Sequence, residues 1–175
     1  MTGPSWDDAA QAAALFAVAP AWLGGVALHA LPGPVRDSWL ASVRDLLPAA
    51  ESIRRIPLHI TESQLLGGLD LTATLSAGRP VAARGLLADA SGGVVVLAMA
   101  ERAARATLSH LATALDFHEV IMERDGFSAR VPVELGVIAL DEAVADDEGL
   151  DGALSDRLAL SVDLRAFGIH DVDVD

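Results

Sequence analysis

Short, almost uninterrupted apolar segments recur along the chain, and they constrain its fold more than any other feature. The strongest is GGVVVLAMA, a continuous and β-branched run that is typical of a buried parallel strand. Segments with helical periodicity separate these runs, and such alternation predicts an α/β sandwich with a mainly parallel sheet. The predicted buried strands are residues 24–30, 92–100 and 133–140.

Local signals place the remaining elements. In chain order they are a helix capped by Ser5 and followed by Pro20; a helix with Val35, Trp39, Val43 and Leu46 on one face; a strand near Ile53 to Leu58; a polar turn at Thr61 to Ser63; two helical pieces separated by Gly78 and Pro80; a helix with Leu108, Leu111 and Leu115 on one face; a hairpin turning at Asp125-Gly126; a short helix after an acidic loop; a last strand, LALSVDL; and a frayed polar tail.

The composition excludes several classes of function. The chain has no Cys, so disulfides, thiolate catalysis and zinc fingers are excluded. Its formal net charge of -13 argues against nucleic-acid binding, because phosphate contacts need clustered cations. All 12 basic residues are Arg and there is no Asn, so no mechanism that needs a Lys or Asn side chain can run on this chain alone. With neither a signal peptide nor a membrane-span-length apolar run, we expect a soluble cytoplasmic protein.

The segment ALPGPVRD, between a predicted strand and a predicted helix, has the length and position of a phosphate-binding loop. In the pattern G-x-x-x-x-G-K-[ST], the glycine positions are Ala30 and Val35, the Lys position is Arg36 and the Ser/Thr position is Asp37. Two prolines also remove amide donors from the phosphate cradle. Spacing alone favours an ordinary strand-to-helix loop; the alternative is a degenerate Walker A motif. For Arg36 we favour an ion pair with Asp37 or Asp7 over a phosphate contact.

The strand GGVVVLAMAE offers an independent test of this interpretation. An active P-loop ATPase ends the corresponding strand in two acids, one for Mg²⁺ and one that activates water. Here the strand ends in Ala98 and Met99. It therefore has the form of a Walker B strand without its acids.

Motifs from residue 65 onward resemble the AAA+ core of magnesium chelatase. The ATPase I subunit of that family has an L-x-G-x-L-D segment, a G-L-L-A run before the Walker B strand, an E-R-x-G hairpin and L-D-R near the end. This chain keeps the frame but lacks the Walker A Lys, the Walker B acids and the sensor Asn, and so resembles the non-hydrolysing D subunit. The likeness extends from about Leu15 to Leu164. The matching residues are Leu66, Gly68, Leu69, Asp70, Gly85, Leu86, Leu87, Glu123, Arg124, Gly126, Asp156 and Arg157.

The resemblance implies a fold and a role. The fold is an AAA+ P-loop-type three-layer sandwich over residues 1–175, with a mainly parallel five-stranded sheet, a β-hairpin insertion and no helical lid. Magnesium chelatase inserts Mg²⁺ into protoporphyrin IX on the way to chlorophyll or bacteriochlorophyll. The I subunit hydrolyses ATP, the H subunit binds the porphyrin, and the D subunit assembles with the I subunit in a ring. We expect an N-terminal fragment of the D subunit without its linker and integrin-I-type domain, binding no cofactor itself, with ATP and Mg²⁺ at the partner.

The resemblance also makes Arg157 the candidate catalytic residue. AAA+ rings place an Arg near this point to reach the γ-phosphate bound by the neighbouring subunit, where a guanidinium stabilises transition-state charge. The alternatives are that Arg157 caps a helix C-terminus or pairs with Asp156. The hairpin residues Glu119, Glu123, Arg124 and Arg130 face a partner or simply solvent.

No metal site is expected. The five histidines have no i, i+4 pair on one helix, and the acidic run Asp146, Asp147 and Glu148 lacks an enclosing geometry. Two other functions stay open at this point: an active ATPase with an atypical P-loop, and a stand-alone α/β binding domain.

Overall fold

The structure, a computed structural model, describes residues 5–48, 52–124, 127–144 and 148–172. Within these residues the chain forms eight α-helices, nine strands and two short 3-10 helices, Ala100–Arg102 and Ile169–Asp171. The helices are α1 (Trp6–Val18), α2 (Pro20–Leu23), α3 (Pro34–Leu46), α4 (Glu62–Leu66), α5 (Leu71–Ala77), α6 (Leu86–Asp89), α7 (Arg105–Phe117) and α8 (Gly152–Ser155). The strands are β1 (Gly25–His29), β2 (Ile53–Ile56), β3 (Gly67–Leu69), β4 (Ala82–Arg84), β5 (Gly93–Leu97), β6 (Glu119–Arg124), β7 (Phe127–Pro132), β8 (Leu135–Asp141) and β9 (Leu160–Asp163).

The central layer is a five-stranded sheet with the order β2-β5-β8-β1-β9. All four strand pairings are parallel. Every residue of β5 and β8 is buried, as expected of strands covered by helices on both faces. The predicted parallel sheet of five strands is confirmed.

Helices cover both faces of this sheet and complete a three-layer sandwich. On one face α1 and α3 pack together, with Phe16 and Trp39 fully buried against β1 and β8. The Trp39 indole Nε1 donates a hydrogen bond of 2.7 Å to the Ala9 carbonyl oxygen, which ties α3 to α1. On the other face Leu111 of α7 and Leu87 of α6 are fully buried.

Two antiparallel ribbons extend from this sandwich. The hairpin β6-β7 is confirmed, while its predicted turn at Asp125 and Gly126 lies outside the described residues. The ribbon β3-β4 was not predicted. It depends on a close approach of two glycines: a Cβ on Gly85 would lie 2.2 Å from the backbone nitrogen of Gly67.

Several local predictions were wrong. Thr61 does not form a turn but caps α4, where its hydroxyl accepts from the Gln64 amide. The segment after Pro80 contains strand β4 before the short helix α6. Leu46, predicted on the buried face of α3, is 52% exposed.

The segment after β9 packs back onto α1. The Phe167 and Trp6 rings meet edge to face with centroids 6.0 Å apart. A 3-10 helix follows, and Val172 is buried. The prediction of a frayed tail is therefore wrong up to residue 172. The described residues after β9 include no helical lid. None of the helices in the described ranges has the length and apolarity needed to cross a membrane.

Candidate functional site

The two segments that the sequence offers as candidate degenerate nucleotide motifs both lie at the carboxyl edge of the sheet. Because β1, β5 and β8 are parallel, the loops that follow His29, Leu97 and Asp141 leave the sheet on the same side. This edge is where open α/β sheets bind ligands. The structure therefore places the Ala30 to Asp37 segment and the Ala98-Met99 pair at the same edge of the sheet.

The Ala30 to Asp37 segment is a strand-to-helix loop with few donors for phosphate. Helix α3 begins at Pro34, which has no amide hydrogen, and Val35 is already the second helical residue. Gly33 is the N-cap, and the Asp37 amide donates back to its carbonyl at 3.0 Å. The cavity over this loop, of about 290 Å³, is lined largely by apolar residues. Its apolar contributors are Ala30, Leu31, Pro32, Pro34, Val35, Ala143, Val144, Leu164 and Phe167.

Arg36 is engaged inside the chain. Its Nη1 donates to Glu142 Oε1 at 2.7 Å, and the two side chains are only 10% and 17% exposed. The prediction of a surface pair with Asp37 or Asp7 was therefore wrong, because the loop after β8 places Glu142 nearer. The Arg36 Nε atom is buried without a hydrogen-bond partner. The cation at the Lys position is thus turned toward the loop after β8.

The end of β5 carries a buried acid that the sequence reasoning missed. After Ala98, Met99 adopts φ 47°, a left-handed conformation, and a 3-10 helix follows. This turn buries the Glu101 side chain, which is 2% exposed, and Glu101 Oε2 accepts from the Glu142 amide at 3.1 Å. Glu101 Oε1 makes no hydrogen bond, although the Arg102 Nε lies 3.4 Å away. No pattern in the sequence indicated that an acid three residues beyond Ala98 would fold back.

Polar side chains from three neighbouring strands, β8, β1 and β9, contact one another; we call this group the polar relay. His29 Nδ1 lies 3.0 Å from Asp141 Oδ2, and His29 Nε2 lies 3.3 Å from the Ser161 hydroxyl. Asp141 is 4% exposed and also accepts from the Ala143 amide. This relay lines a second cavity of about 390 Å³. The sequence showed His29 only as an isolated histidine, since its partners come from strands more than 100 residues away.

The charged side chains at the carboxyl edge lie close to partners of opposite charge. Glu101, Asp141 and Glu142 supply three carboxylates. Arg36, the cation at the Lys position, is paired with Glu142. At the end of β9 the Arg165 guanidinium donates to Asp163 and lowers the pKa of that carboxyl, which keeps it ionised. Four carboxylates, those of Glu101, Asp141, Glu142 and Asp163, thus lie at this edge with the guanidinium groups of Arg36, Arg102 and Arg165.

The other candidate residues contribute no site at this edge. Among the described residues, no group of three or more His, Asp or Glu side chains could hold a metal ion. Asp146 and Asp147 of the acidic run lie outside the described residues. In the hairpin, Glu119 and Arg130 pair across the strands at 2.8 Å. The Arg124 side chain lies outside the described part of the hairpin.

Arg157 lies at the opposite, amino edge of the sheet. It precedes β9, and a Cβ on Gly24, just before β1, would lie 2.1 Å from the Arg157 carbonyl oxygen. The length of β1 separates it from the Ala30 loop, about 16 Å at the usual rise per strand residue. Arg157 donates to a carbonyl of helix α8, that of Ala153, as expected if it caps a helix C-terminus. Its carboxylate partner is Asp116 and not the predicted Asp156. The Asp116 carboxylate raises the pKa of Arg157 above its ordinary value.

Sequence comparison finds relatives that cover most of the chain. The chain is 38% identical over 154 residues to the magnesium-chelatase 60 kDa subunit of Rhodobacter capsulatus, covering 88% of this chain and 24% of the relative. It is 40% identical over 162 residues to the 60 kDa subunit of Cereibacter sphaeroides, covering 93% and 25% respectively. This chain is a homologue of the magnesium-chelatase 60 and 67 kDa subunits. It spans about a quarter of the length of these curated relatives. No protein-family model matches it.

Structural comparison supports the same relationship for the fold. A chain in a cryo-EM-based structure of the complex between subunits BchI and BchD of magnesium chelatase superimposes with a TM-score of 0.71. The match has 22% sequence identity and covers 95% of this chain and 61% of that chain. The α/β architecture is accordingly the AAA+ fold, as the sequence resemblance implied.

Proposed function

We propose that this chain is the AAA+ domain of a non-hydrolysing magnesium chelatase subunit. In this role it assembles with the ATPase I subunit, in the cytoplasm and within a ring that also engages the porphyrin-binding H subunit. It couples ATP hydrolysis to insertion of Mg²⁺ into protoporphyrin IX, in chlorophyll or bacteriochlorophyll biosynthesis. One observation carries the proposal: at the carboxyl edge of the sheet Arg36, at the Lys position, pairs with Glu142 of the same chain at 2.7 Å. We call this arrangement the closed carboxyl edge.

The closed edge supports a domain that binds neither ATP nor Mg²⁺. Catalysis of phosphoryl transfer needs a cation on the phosphates and acids that hold the metal. Here Arg36 points at Glu142, and Glu101 accepts from the Glu142 amide. Nucleotide binding would require breaking a largely buried ion pair and placing phosphate beside three carboxylates. This arrangement supports the assignment of ATP and Mg²⁺ to the partner's site.

Arg157 is the residue that gives such a subunit a catalytic contribution. Its position at the amino edge, opposite the Ala30 loop, supports action on a neighbour's nucleotide and not on one in its own chain. A neighbour that presents its carboxyl edge to this amino edge would receive the Arg157 guanidinium near its γ-phosphate. A guanidinium supplied in trans accelerates phosphoryl transfer by about 10³-fold or more in the best-studied GTPases.

The experiment that tests this function is reconstitution of the complex. The protein that carries this chain should co-purify with the I subunit, with and without ATP compared, and chelatase activity should require it. Arg157→Ala should lower the ATPase and chelatase rates, while Arg84→Ala, an exposed arginine paired with Asp89, should leave them unchanged. No co-purification would favour a stand-alone binding domain, and ATP hydrolysis by this chain alone would favour an active ATPase with an atypical P-loop.

A further inference from the structure

The Arg157 guanidinium is held at a fixed orientation by two neighbours. Its Nε donates to Asp116 Oδ1 at 2.8 Å, and its Nη2 donates to Asp116 Oδ2 at 2.6 Å. Its Nη1 donates to the Ala153 carbonyl oxygen at 2.6 Å. A side-on bidentate pair of this kind fixes both the position and the plane of a guanidinium.

This arrangement leaves donors for another acceptor. A guanidinium has five N–H groups, and these contacts use three of them, so one remains on Nη1 and one on Nη2. The Arg157 side chain is 33% exposed. A cavity of about 210 Å³ lies beside it, with Trp22, 91% exposed, on its rim. Arg157 thus lines this cavity and has two N–H groups that neither Asp116 nor Ala153 uses.

The backbone on both sides of the pair is also fixed. Asp116 lies in the last turn of α7, which His118 ends with a left-handed conformation, φ 52°. Arg157 follows α8, whose Leu154 is fully buried. Gly24 has φ 68°, and the close approach of its α-carbon to the Arg157 carbonyl leaves no room for a side chain. Arg157 is thus set on a rigid support, as groups that must stabilise a transition state generally require.

We propose that Asp116 is a positioning residue that presets the Arg157 guanidinium to contact the γ-phosphate bound by the neighbouring subunit. This inference rests on the proposed function of Arg157 in trans. Asp116 orients the guanidinium through its Nε edge and leaves the outward N–H groups for the phosphate. It acts before assembly, so that no ordering of the long side chain is needed when the neighbour binds.

The test compares Asp116→Ala, Asp116→Asn and Arg157→Ala in the reconstituted complex, using the full protein that carries this chain. Both members of the pair are about one-third exposed, and exposed ion pairs contribute little to stability, so these variants should fold. Asp116→Ala should lower the kcat of ATP hydrolysis about 10- to 100-fold, because a misplaced catalytic group loses rate on this scale. The KM for ATP should not change, since the nucleotide is bound by the partner.

The variants also separate positioning from a purely structural role. Asp116→Asn keeps one acceptor and should recover part of the rate. The double variant Asp116→Ala/Arg157→Ala should be no slower than Arg157→Ala alone, because Asp116 acts only through Arg157. Asp89→Ala, which removes the carboxylate of another exposed pair, is the matched control and should behave as wild type.

Three results would overturn the inference while leaving the proposed function intact: an unchanged kcat in Asp116→Ala, a raised kcat, or additive losses in the double variant. A raised kcat would mean that Asp116 sequesters the guanidinium instead of presenting it. An unchanged rate in Arg157→Ala would instead overturn the proposed function, and the inference with it. Subunit assembly, measured by light scattering, should be the same for all variants; weakened assembly with normal kcat at saturation would indicate a structural role.

Discussion

Replacing Glu142 by Ala should destabilise the fold by about 3 kcal/mol. The substitution removes the acceptor of Arg36 Nη1, and Arg36 Nε already lacks a hydrogen-bond partner. A cation that is 10% exposed would then be left without its carboxylate. Removing one member of a buried pair costs about 3–5 kcal/mol, and the residual solvent contact of both side chains places this pair at the lower end.

The assay is urea denaturation of the chain followed by circular dichroism, with thermal melting as a second reading. For a domain of this size, a loss of about 3 kcal/mol lowers Tm by about 6–12 °C. Glu148→Ala, an exposed acid on the same side of the sheet, is the control and should change stability by less than about 0.5 kcal/mol. The double variant Arg36→Met/Glu142→Leu removes both charges and should remain within about 1 kcal/mol of wild type, because no unpaired charge is left.

A solvent-exposed Arg36–Glu142 pair would give a smaller loss of unfolding free energy in Glu142→Ala. If Glu142→Ala cost less than about 1 kcal/mol, Arg36 would have an easy route to solvent. Arg36 would then not be held by Glu142, and it would be free to contact a phosphate. That result would remove the main structural objection to phosphate binding.

Three further predictions concern contacts elsewhere in the fold. Trp39→Phe should cost about 1–3 kcal/mol in urea denaturation, because it removes the indole donor to the Ala9 carbonyl; a cost below about 0.5 kcal/mol would contradict the role of that hydrogen bond. Gly85→Ala should lower Tm and weaken amide protection in the β3-β4 ribbon by hydrogen exchange, since its Cβ would meet backbone at 2.2 Å; unchanged protection would show that the ribbon adjusts freely. The Ser5 amide lowers the pKa of Asp8 below 3.8, so this capping carboxylate stabilises the fold above that pH and the contribution disappears as pH falls through the lower folded-state pKa. Asp8→Asn should therefore show a shallower loss of stability on acidification below about pH 4 than wild type, and an identical slope would refute the linkage.

The sheet was predictable because burial on both faces makes parallel strands continuously apolar. Strands β5 and β8 are entirely buried, and both were found from their composition. The loop after β1 was recognised from spacing, and Ala98 and Met99 from their place after a buried strand. These signals are local in sequence, so they can be read without any knowledge of the packing.

The contacts that close the carboxyl edge were not predictable because they join distant parts of the chain. Arg36 and Glu142 are 106 residues apart, and only the β1-β8 register brings their loops together. Glu101 folds back through the left-handed Met99, a conformation that β-propensity does not signal. Asp116 lies on α7, 41 residues before Arg157, and nothing in the sequence pointed to their pairing.

The central claim, that the phosphate site of this AAA+ domain is closed by its own side chains, can be tested directly by calorimetry. The purified chain is titrated with ATP in the presence of Mg²⁺, alongside an ATPase I subunit as a positive control. We expect no binding heat for this chain at ATP concentrations that saturate the control. Saturable binding with micromolar affinity would contradict it.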